Sequence, residues 1–385
     1  MKILLIHNVY SNTGGEDLRV LETARLIREG DHIVVGCFRK SASVDGLFPR
    51  FLVGLEMFFS LRSFVDVFRI VKHERPDVAC VFNVFPLLSP SVYVALWMVK
   101  VPVVQMVANY RLLYSFRDVA CAVKQLIARK SLRSALVDCG YHSVYDVVYG
   151  LIVALNKPFG VFERILKYVV SSEHVKQRLT QSGINPDKIA IIPNFLLSQK
   201  VQKHTKKHKN YSIVYAGRLS YEKGVDVLFS ALNGKHGEQI LVVGDGPERK
   251  SLESLARKKQ FPITFFGKLT HKETLDILTC CHVCVVPSRW SEPFGNIILD
   301  AMSCGVLVVA SRVGGIPEII QDRKNGLLFH SEDSNDLRKK ILWAARHPQE
   351  VKKIITAATN DLKRYDAKKY VASLVSVFHE AMIHS

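Results

Sequence analysis

Twelve short runs rich in Val, Ile and Leu recur along the 385 residues, most of them followed by a helix-length segment, and this alternation constrains the fold more than any other feature. Short apolar runs bounded by Gly, Pro, Asn or Asp read as strands buried on both faces. Parallel strands need a crossover, usually a helix, so the pattern predicts βαβ units and a mostly parallel sheet. KILLI (2–6), HIVVGCF (32–38), DVACVF (77–82), PVVQMV (102–107), KYVVSS (167–172) and KIAIIP (188–193) form one series. YSIVYAG (211–217), QILVVGDG (239–246), ITFFG (263–267), HVCVVPS (282–288), VLVVAS (306–311) and GLLF (326–329) form a second. Between them LLSQKVQKHTKKHKNYS is cationic and poor in apolar residues, the texture of a linker. The expected organisation is an N-terminal α/β domain over 1–197, a basic linker over 198–210 and a C-terminal α/β domain over 211–365. A last helix over 366–385 is expected to cross back to the first domain. The two halves show no internal repeat. In open α/β sheets ligands bind outside the carboxyl ends of the strands, which is where function is sought.

A composition of 48% hydrophobic and 23% charged residues is globular. The formal charge of +18 favours anionic partners: nucleic acid, an anionic membrane face or phosphorylated small molecules. Nucleic acid is the weakest of these, because the dense basic cluster is confined to 203–209 and is not interleaved with aromatics. The eight cysteines are scattered among apolar runs and read as reduced, in an intracellular setting. Cys281 and Cys284 make a C-x2-C without a second pair, so no metal site is expected there. MKILLIHN has too short an apolar core for a signal peptide and reads as a first strand, which makes the cytoplasm the expected location. Residues 78–99 carry no charge, but Pro86 and Pro90 divide them into strand, loop and helix start rather than a membrane span. The stretch LFPRFLVGLEMFFSLRSFVDVFRIV (47–71) alternates charge with large apolar groups. It reads either as a helix packed on the first sheet or as an interfacial membrane helix in which Phe51, Phe58 and Phe59 enter the lipid beside Arg50 and Arg62.

Chemistry concentrates in three places. SRWSEPFGNIILDAMSCGVLVVASRVGGIPEII (288–320) follows a strand and leads through a helix into another. Pro293 and Gly295 make its turn, so the N–H groups of Phe294, Gly295 and Asn296 open a helix N-terminus, a natural anion site. Glu292 lies just before that helix and Asp300 inside it, so both acids are candidates to face one ligand. AGRLSYEKGVDVLFSAL (216–232) places Arg218 and Lys223 in a strand-to-helix loop, a guanidinium fork and a point charge suited to a diphosphate. Gly14-Gly15-Glu16-Asp17 is a glycine turn after the first strand. Gly244-Asp245-Gly246-Pro247 is a strand-to-helix turn lacking the third glycine of a dinucleotide fingerprint.

In their order, GGED, GRLSYEKG, VGDGPE, FFGKL and SEPFGNIILDAMSCGVLVVASRVGGIPEII resemble the retaining GT-B glycosyltransferases of family 4, the glycosyl transferases group 1. PVVQMVANYRLLYS (102–115) resembles a subset active in bacterial polysaccharide and lipopolysaccharide assembly. The resemblance implies two Rossmann-like doubly wound domains facing across a cleft, the first for the acceptor and the second for a nucleotide sugar. It implies transfer of a sugar from a nucleotide diphosphate sugar to a glycan or lipid-linked acceptor hydroxyl, with retention and without cofactor or bound metal. Absence of any Asp-x-Asp agrees with cationic side chains serving the leaving group. Carried over, Arg218 and Lys223 hold the diphosphate, Gly15 lets the first loop approach it, and Glu292 binds a donor-sugar hydroxyl. Phe294, Gly295 and Asn296 present backbone N–H groups, and Asp300 reaches the ribose.

Two positions depart from the family pattern. Its paired acids are Glu-x7-Glu, and Asp300 is one methylene shorter. The family's His before Asn-Tyr-Arg is Ala108, which offers no side-chain hydrogen bond. These departures motivate an alternative: a catalytically weak or silent homologue that binds nucleotide sugar or a partner enzyme.

Overall fold

The computed structural model describes residues 1–9, 15–40, 56–110, 144–197, 208, 210–232, 238–259 and 262–384. Its contacts divide the chain into two compact units, Met1–Pro193 with Ala367–Ser385, and Asn194–Asp366. The division falls at 193/194 rather than near 197. The Leu196 N–H donates to the Tyr365 carbonyl (3.0 Å) and the Asn194 amide to Asn296 Oδ1 (2.8 Å), which binds both residues into the second unit. Most of the expected linker, 198–207 and 209, lies outside the described residues.

The first unit runs β1 (Lys2–Val9), α1 (Gly15–Glu29), β2 (Ile33–Lys40), α2 (Leu61–Glu74), β3 (Val78–Val81), α3 (Ser91–Met98), β4 (Val103–Val107), α4 (Val144–Asn156), β5 (Lys167–Val170), α5 (Glu173–Gln181) and β6 (Ile189–Ile191). Its strands are parallel in the order β2-β1-β3-β4-β5-β6. Ile3, Leu4, Leu5 and Ile6 are fully buried, as a central strand with helices on both faces requires. The stretch 78–99 is β3, a loop and α3, and no described helix is long and apolar enough to cross a membrane.

Residues 47–55 of the amphipathic stretch lie outside the described ones, Arg50 and Phe51 among them. The remainder is not one continuous helix. Ser60 is extended (φ −90°, ψ 104°) and its side chain accepts from the Ser63 N–H, so α2 starts afresh at Leu61. Val67 and Val71 point into the core, Phe58 is half-buried, and Phe59 and Leu61 are exposed.

The second unit runs β7 (Ser212–Ala216), α6 (Val225–Ala231), β8 (Gln239–Val243), α7 (Arg249–Arg257), β9 (Ile263–Gly267), α8 (His271–Cys280), β10 (Val283–Val286), α9 (Asn296–Ser303), β11 (Leu307–Ser311), α10 (Ile316–Ile319), β12 (Leu327–Phe329), α11 (Ser334–Arg346) and α12 (Pro348–Asp361). Its parallel order is β12-β11-β10-β7-β8-β9, with a core on each face of the sheet. The chain enters at β7, builds β8 and β9 to one side, then returns to add β10, β11 and β12 on the other. The crevice between β7 and β10 at their carboxyl ends is therefore the topological switch point, the favoured ligand position in such sheets.

The final helix, α13 (Ala367–Ile383), belongs to the first unit. It buries Tyr370, Leu374, Val377 and Phe378, and Lys167 pairs with Glu380 at 2.7 Å.

Candidate active site

The switch point of the second unit brings together Arg218, Lys223 and Glu292 from among the residues singled out by sequence. The loop after β7 carries Arg218 and Lys223, and the loop after β10 carries Glu292. The Lys223 ammonium donates to Glu292 Oε1 at 2.5 Å, and the Ser288 hydroxyl donates to the same oxygen at 2.7 Å. Residues 69 apart in sequence thus form one charged contact. Glu292 is mostly buried and Lys223 about a third exposed, so the pair lies at the floor of the crevice with the cation toward solvent. Arg218 is exposed, and its side chain is bonded to none of the described residues.

Backbone geometry holds this floor. Gly314, in the turn after β11, has φ +56°, and a Cβ there meets the Glu292 carbonyl oxygen at 2.3 Å. Next to it the Gly315 N–H donates to that carbonyl at 2.8 Å. The Gly-Gly of SRVGGIP is thus a mould for the backbone of Glu292, because no side chain fits the approach. Gly224 does the same for the other loop: with φ +66° it starts α6, and a Cβ meets the Pro287 carbonyl oxygen at 2.1 Å. Gly244 (φ +131°) passes so close to the Gly217 carbonyl that a Cβ lies 1.9 Å from it, which makes the Gly-Asp-Gly-Pro turn a close loop-to-loop approach.

Arg289 ties the two loops and was not singled out by sequence. Its guanidinium donates to both carboxylate oxygens of Asp226 (2.7 and 2.6 Å), to the Tyr221 carbonyl (2.9 Å) and to Glu332 (2.9 Å), and it covers the Tyr221 ring. Burial opposes its charge, but these acids outweigh that and raise its pKa. Tyr215, at the end of β7, is buried and donates to the Arg218 carbonyl at 2.7 Å. Burial first, then the negative charges of Glu292 and Glu222, push its phenol well above its ordinary value, so it remains a neutral donor.

The helix expected after Pro293 begins at Asn296. Gly295 is its N-cap with φ +96°, no side chain caps it, and no acid lies in its first turn. Such an end leaves backbone N–H groups and positive dipole directed at the crevice. Phe294 contributes only its backbone: its ring is buried in the core, edge-on to Tyr365 at 5.8 Å. The Asn296 side chain accepts from Asn194. Asp300 is not a solvated helix residue. It is 9% exposed, and its Oδ1 lies 3.2 Å from His271 Nε2 on α8.

In the first unit Gly15 opens α1 at the carboxyl end of β1, and nothing lies within 4 Å of a Cβ built on it. Below it His7 Nε2 meets Asp17 Oδ1 at 2.8 Å, both buried. A small pocket at the ends of β3 and β4 is lined by Asn83, Phe85, Tyr93, Gln105, Ala108 and Asn109. The Tyr93 hydroxyl donates to Gln105 Oε1 (2.6 Å), and the Gln105 amide donates to the Phe82 and Met106 carbonyls. Tyr110 is described, and the chain from Arg111 to Ser143 lies outside the described residues. Cys284 is inside β10 and fully buried, which pushes its thiol far up.

Two parallel six-stranded α/β sheets with these crevices are the GT-B fold. HepE of Anabaena, solved with UDP and glucose, superposes over 99% of this chain and all of its own with a TM-score of 0.69 at 18% identity. Sucrose-phosphate synthase of Thermosynechococcus elongatus superposes over the full length of both chains with a TM-score of 0.73 at 18% identity. Residues 198–361, within which nearly all of the second unit falls, match the family described as glycosyl transferases group 1. Among curated relatives, the phosphatidylinositol N-acetylglucosaminyltransferase gpi3 subunit of Schizosaccharomyces pombe is 27% identical over 202 residues, 50% of this chain and 44% of that protein. Sulfoquinovosyl transferase SQD2 of Arabidopsis thaliana is 37% identical over 158 residues, 40% of this chain and 30% of that protein. The alignments thus span less than half the length of these two relatives.

Proposed function

We propose that this chain is a retaining, metal-independent glycosyltransferase that moves a sugar from a nucleoside diphosphate sugar to a hydroxyl of a glycan or lipid-linked glycan. The observation that carries the reading is the Lys223–Glu292 contact at the β7/β10 switch point, flanked by exposed Arg218 and the uncapped start of α9. In the reaction the anomeric C–O bond to the diphosphate breaks and a C–O bond to the acceptor forms on the same face. The acceptor proton leaves with the departing phosphate. Negative charge grows on the diphosphate oxygens, so Arg218, Lys223 and the N–H groups of Phe294, Gly295 and Asn296 assist most in the transition state. Glu292, its backbone held by the Gly314 turn, takes a donor-sugar hydroxyl. UDP and glucose bound in the HepE structure support a nucleotide-sugar donor. A lipid-borne acceptor hydroxyl is supported by the name of the Schizosaccharomyces pombe relative, a phosphatidylinositol N-acetylglucosaminyltransferase subunit.

Thermal-shift titration with uridine, guanosine and adenosine diphosphate sugars tests the donor, since a ligand of the native state alone raises Tm by mass action. One of the three is expected to stabilise the protein and to be hydrolysed slowly without acceptor. Binding without any sugar release would favour the silent homologue instead, with Ala108 as the reason.

A peripheral membrane contact on the cytoplasmic side is part of the proposal. The formal +18 charge and the exposed Phe59 and Leu61 beside Arg62 support it. Anionic lipid attracts surface cations by about 1 kcal/mol each.

A further inference from the structure

We propose that Arg289 is a positioning residue for Lys223: it clamps the backbone that carries Lys223 to the loop after β10, so that the ammonium is held where the diphosphate departs. The inference rests on the second unit binding a nucleoside diphosphate sugar and deepens that reading. Lysine has a flexible four-carbon stem, so its place in a site is set by the backbone from which it springs. Here that backbone is a single 3₁₀ turn, Tyr221–Lys223. Its N-cap Ser220 makes no side-chain cap, because the hydroxyl turns to the Glu222 carboxylate. The local bonds are the Lys223 N–H to the Ser220 carbonyl (3.0 Å) and the Gly224 N–H to the Tyr221 carbonyl (3.1 Å). One such turn is marginal by itself, since few bonds repay the dihedrals it fixes.

Arg289 supplies the remaining support from another loop. Its backbone N–H donates to the Glu222 carbonyl at 2.9 Å, and its Nη1 donates to the Tyr221 carbonyl at 2.9 Å. Both residues before Lys223 are thus held by one residue 66 positions or more away. The guanidinium lies 4.4 Å from the Tyr221 ring centroid and takes both carboxylate oxygens of Asp226 in the first turn of α6, so the turn is gripped on either side of Lys223. Nε donates to Glu332, in the loop after β12, which fixes the plane of the fork. With one bond from Nε, two from Nη1 and one from Nη2, four of the five guanidinium donors are committed to the protein. The side chain is only 13% exposed. Arg289 therefore acts through the turn and not on a ligand. The arrangement requires arginine in particular, because a lysine point charge does not bridge a carbonyl and two carboxylates in one plane.

Initial rates of sugar release and donor Kd, measured on the full chain with the nucleoside diphosphate sugar that stabilises it most, test this in a double-mutant cycle. Arg289→Lys keeps the charge and is expected to lower kcat roughly tenfold or more, within the ~10²-fold that a misplacement of about 1 Å costs, with donor Kd close to that of the wild type. In Lys223→Ala the same substitution is expected to cost less than about twofold further, because no ammonium is left to misplace. Hydrogen exchange in Arg289→Lys should rise over residues 220–226 and not in β10 or β11. Asp226→Asn, at a partly exposed side chain, keeps an acceptor without the charge. It is expected to lower kcat in the same direction by a smaller factor, which covers failure of Arg289→Lys to fold. Losses from Arg289→Lys and Lys223→Ala that multiply would overturn the positioning role while leaving the donor reading in place. So would an unchanged kcat in Arg289→Lys or, should that variant not fold, in Asp226→Asn. A wild type that binds none of the nucleotide sugars, or binds one without releasing sugar, would overturn the proposed function, and the role of Arg289 with it.

Discussion

Glu292 receives two donors on one oxygen, from Lys223 and from Ser288, and this sets what a substitution there can reveal. Glutamine keeps an acceptor oxygen for both while removing the charge, so Glu292→Gln is expected to melt within about 2 °C of the wild type and to lose activity by ~10²-fold or more. Near-normal turnover in that variant would make Glu292 structural. Arg218, exposed and without a partner among the described residues, makes the complementary case. Arg218→Ala is expected to leave Tm unchanged and to lower kcat far more than donor affinity, because its help grows as the phosphate departs. An equal loss in donor Kd and in kcat/KM, with kcat preserved, would place Arg218 in ground-state binding alone. Sequence marked both residues through the types and spacing of their loops. It did not mark Arg289, since an arginine in a loop is common on any surface.

At the scale of elements, the turn after β11 controls a residue it does not contain. Gly314 lies at φ +56° against the Glu292 backbone, so any side chain there must displace the loop after β10. Gly314→Ala is expected to cost roughly 2 kcal/mol or more from the positive φ and the clash together. It should also reduce activity, although residue 314 touches no proposed ligand. Calorimetric melting with initial rates checks this, and a variant that is destabilised yet fully active at low temperature would separate the turn from the chemistry. The Gly-Gly pair was legible as a turn, but its target was not, because close approach between loops 22 residues apart leaves no local periodicity. The same holds for α2. Its pattern suggested one long amphipathic helix, whereas Ser60 turns extended and caps a new start at Leu61.

For the whole molecule, the first unit is assembled from both ends of the chain. Helix α13 buries Tyr370, Leu374, Val377 and Phe378 against it and pairs Glu380 with Lys167. Truncation after Asp366 is expected to lower the melting and the amide protection of the first unit while the second retains its own protection. Hydrogen exchange read by mass spectrometry separates the two, and uniform loss in both would refute independent cores. The surface charge gives a second expectation at this scale. The protein should sediment with anionic vesicles at low salt and be released as salt rises, with Phe59→Asp, which touches an exposed side chain, weakening the association without lowering Tm. Full vesicle binding by that variant would remove Phe59 from the contact.

The sequence by itself determined the composition of the fold: twelve apolar strands, helices between most of them, and a cationic break between the two series. Strands buried on both faces must be continuously apolar, and helices one-sided, so each element announces its type locally. It also placed the charged and glycine-rich residues in strand-to-helix loops, because those positions require particular backbone freedom and solvent access. Only the tertiary structure decided the strand order, β2-β1-β3-β4-β5-β6 in one sheet and β12-β11-β10-β7-β8-β9 in the other. Interchangeable apolar strands do not state their neighbours. That order in turn decided which loops meet, and with them the pairing of Lys223 with Glu292 and of Arg289 with Asp226. Such contacts depend on side-chain direction across distant segments, for which the spacing of residues along the chain has no signal.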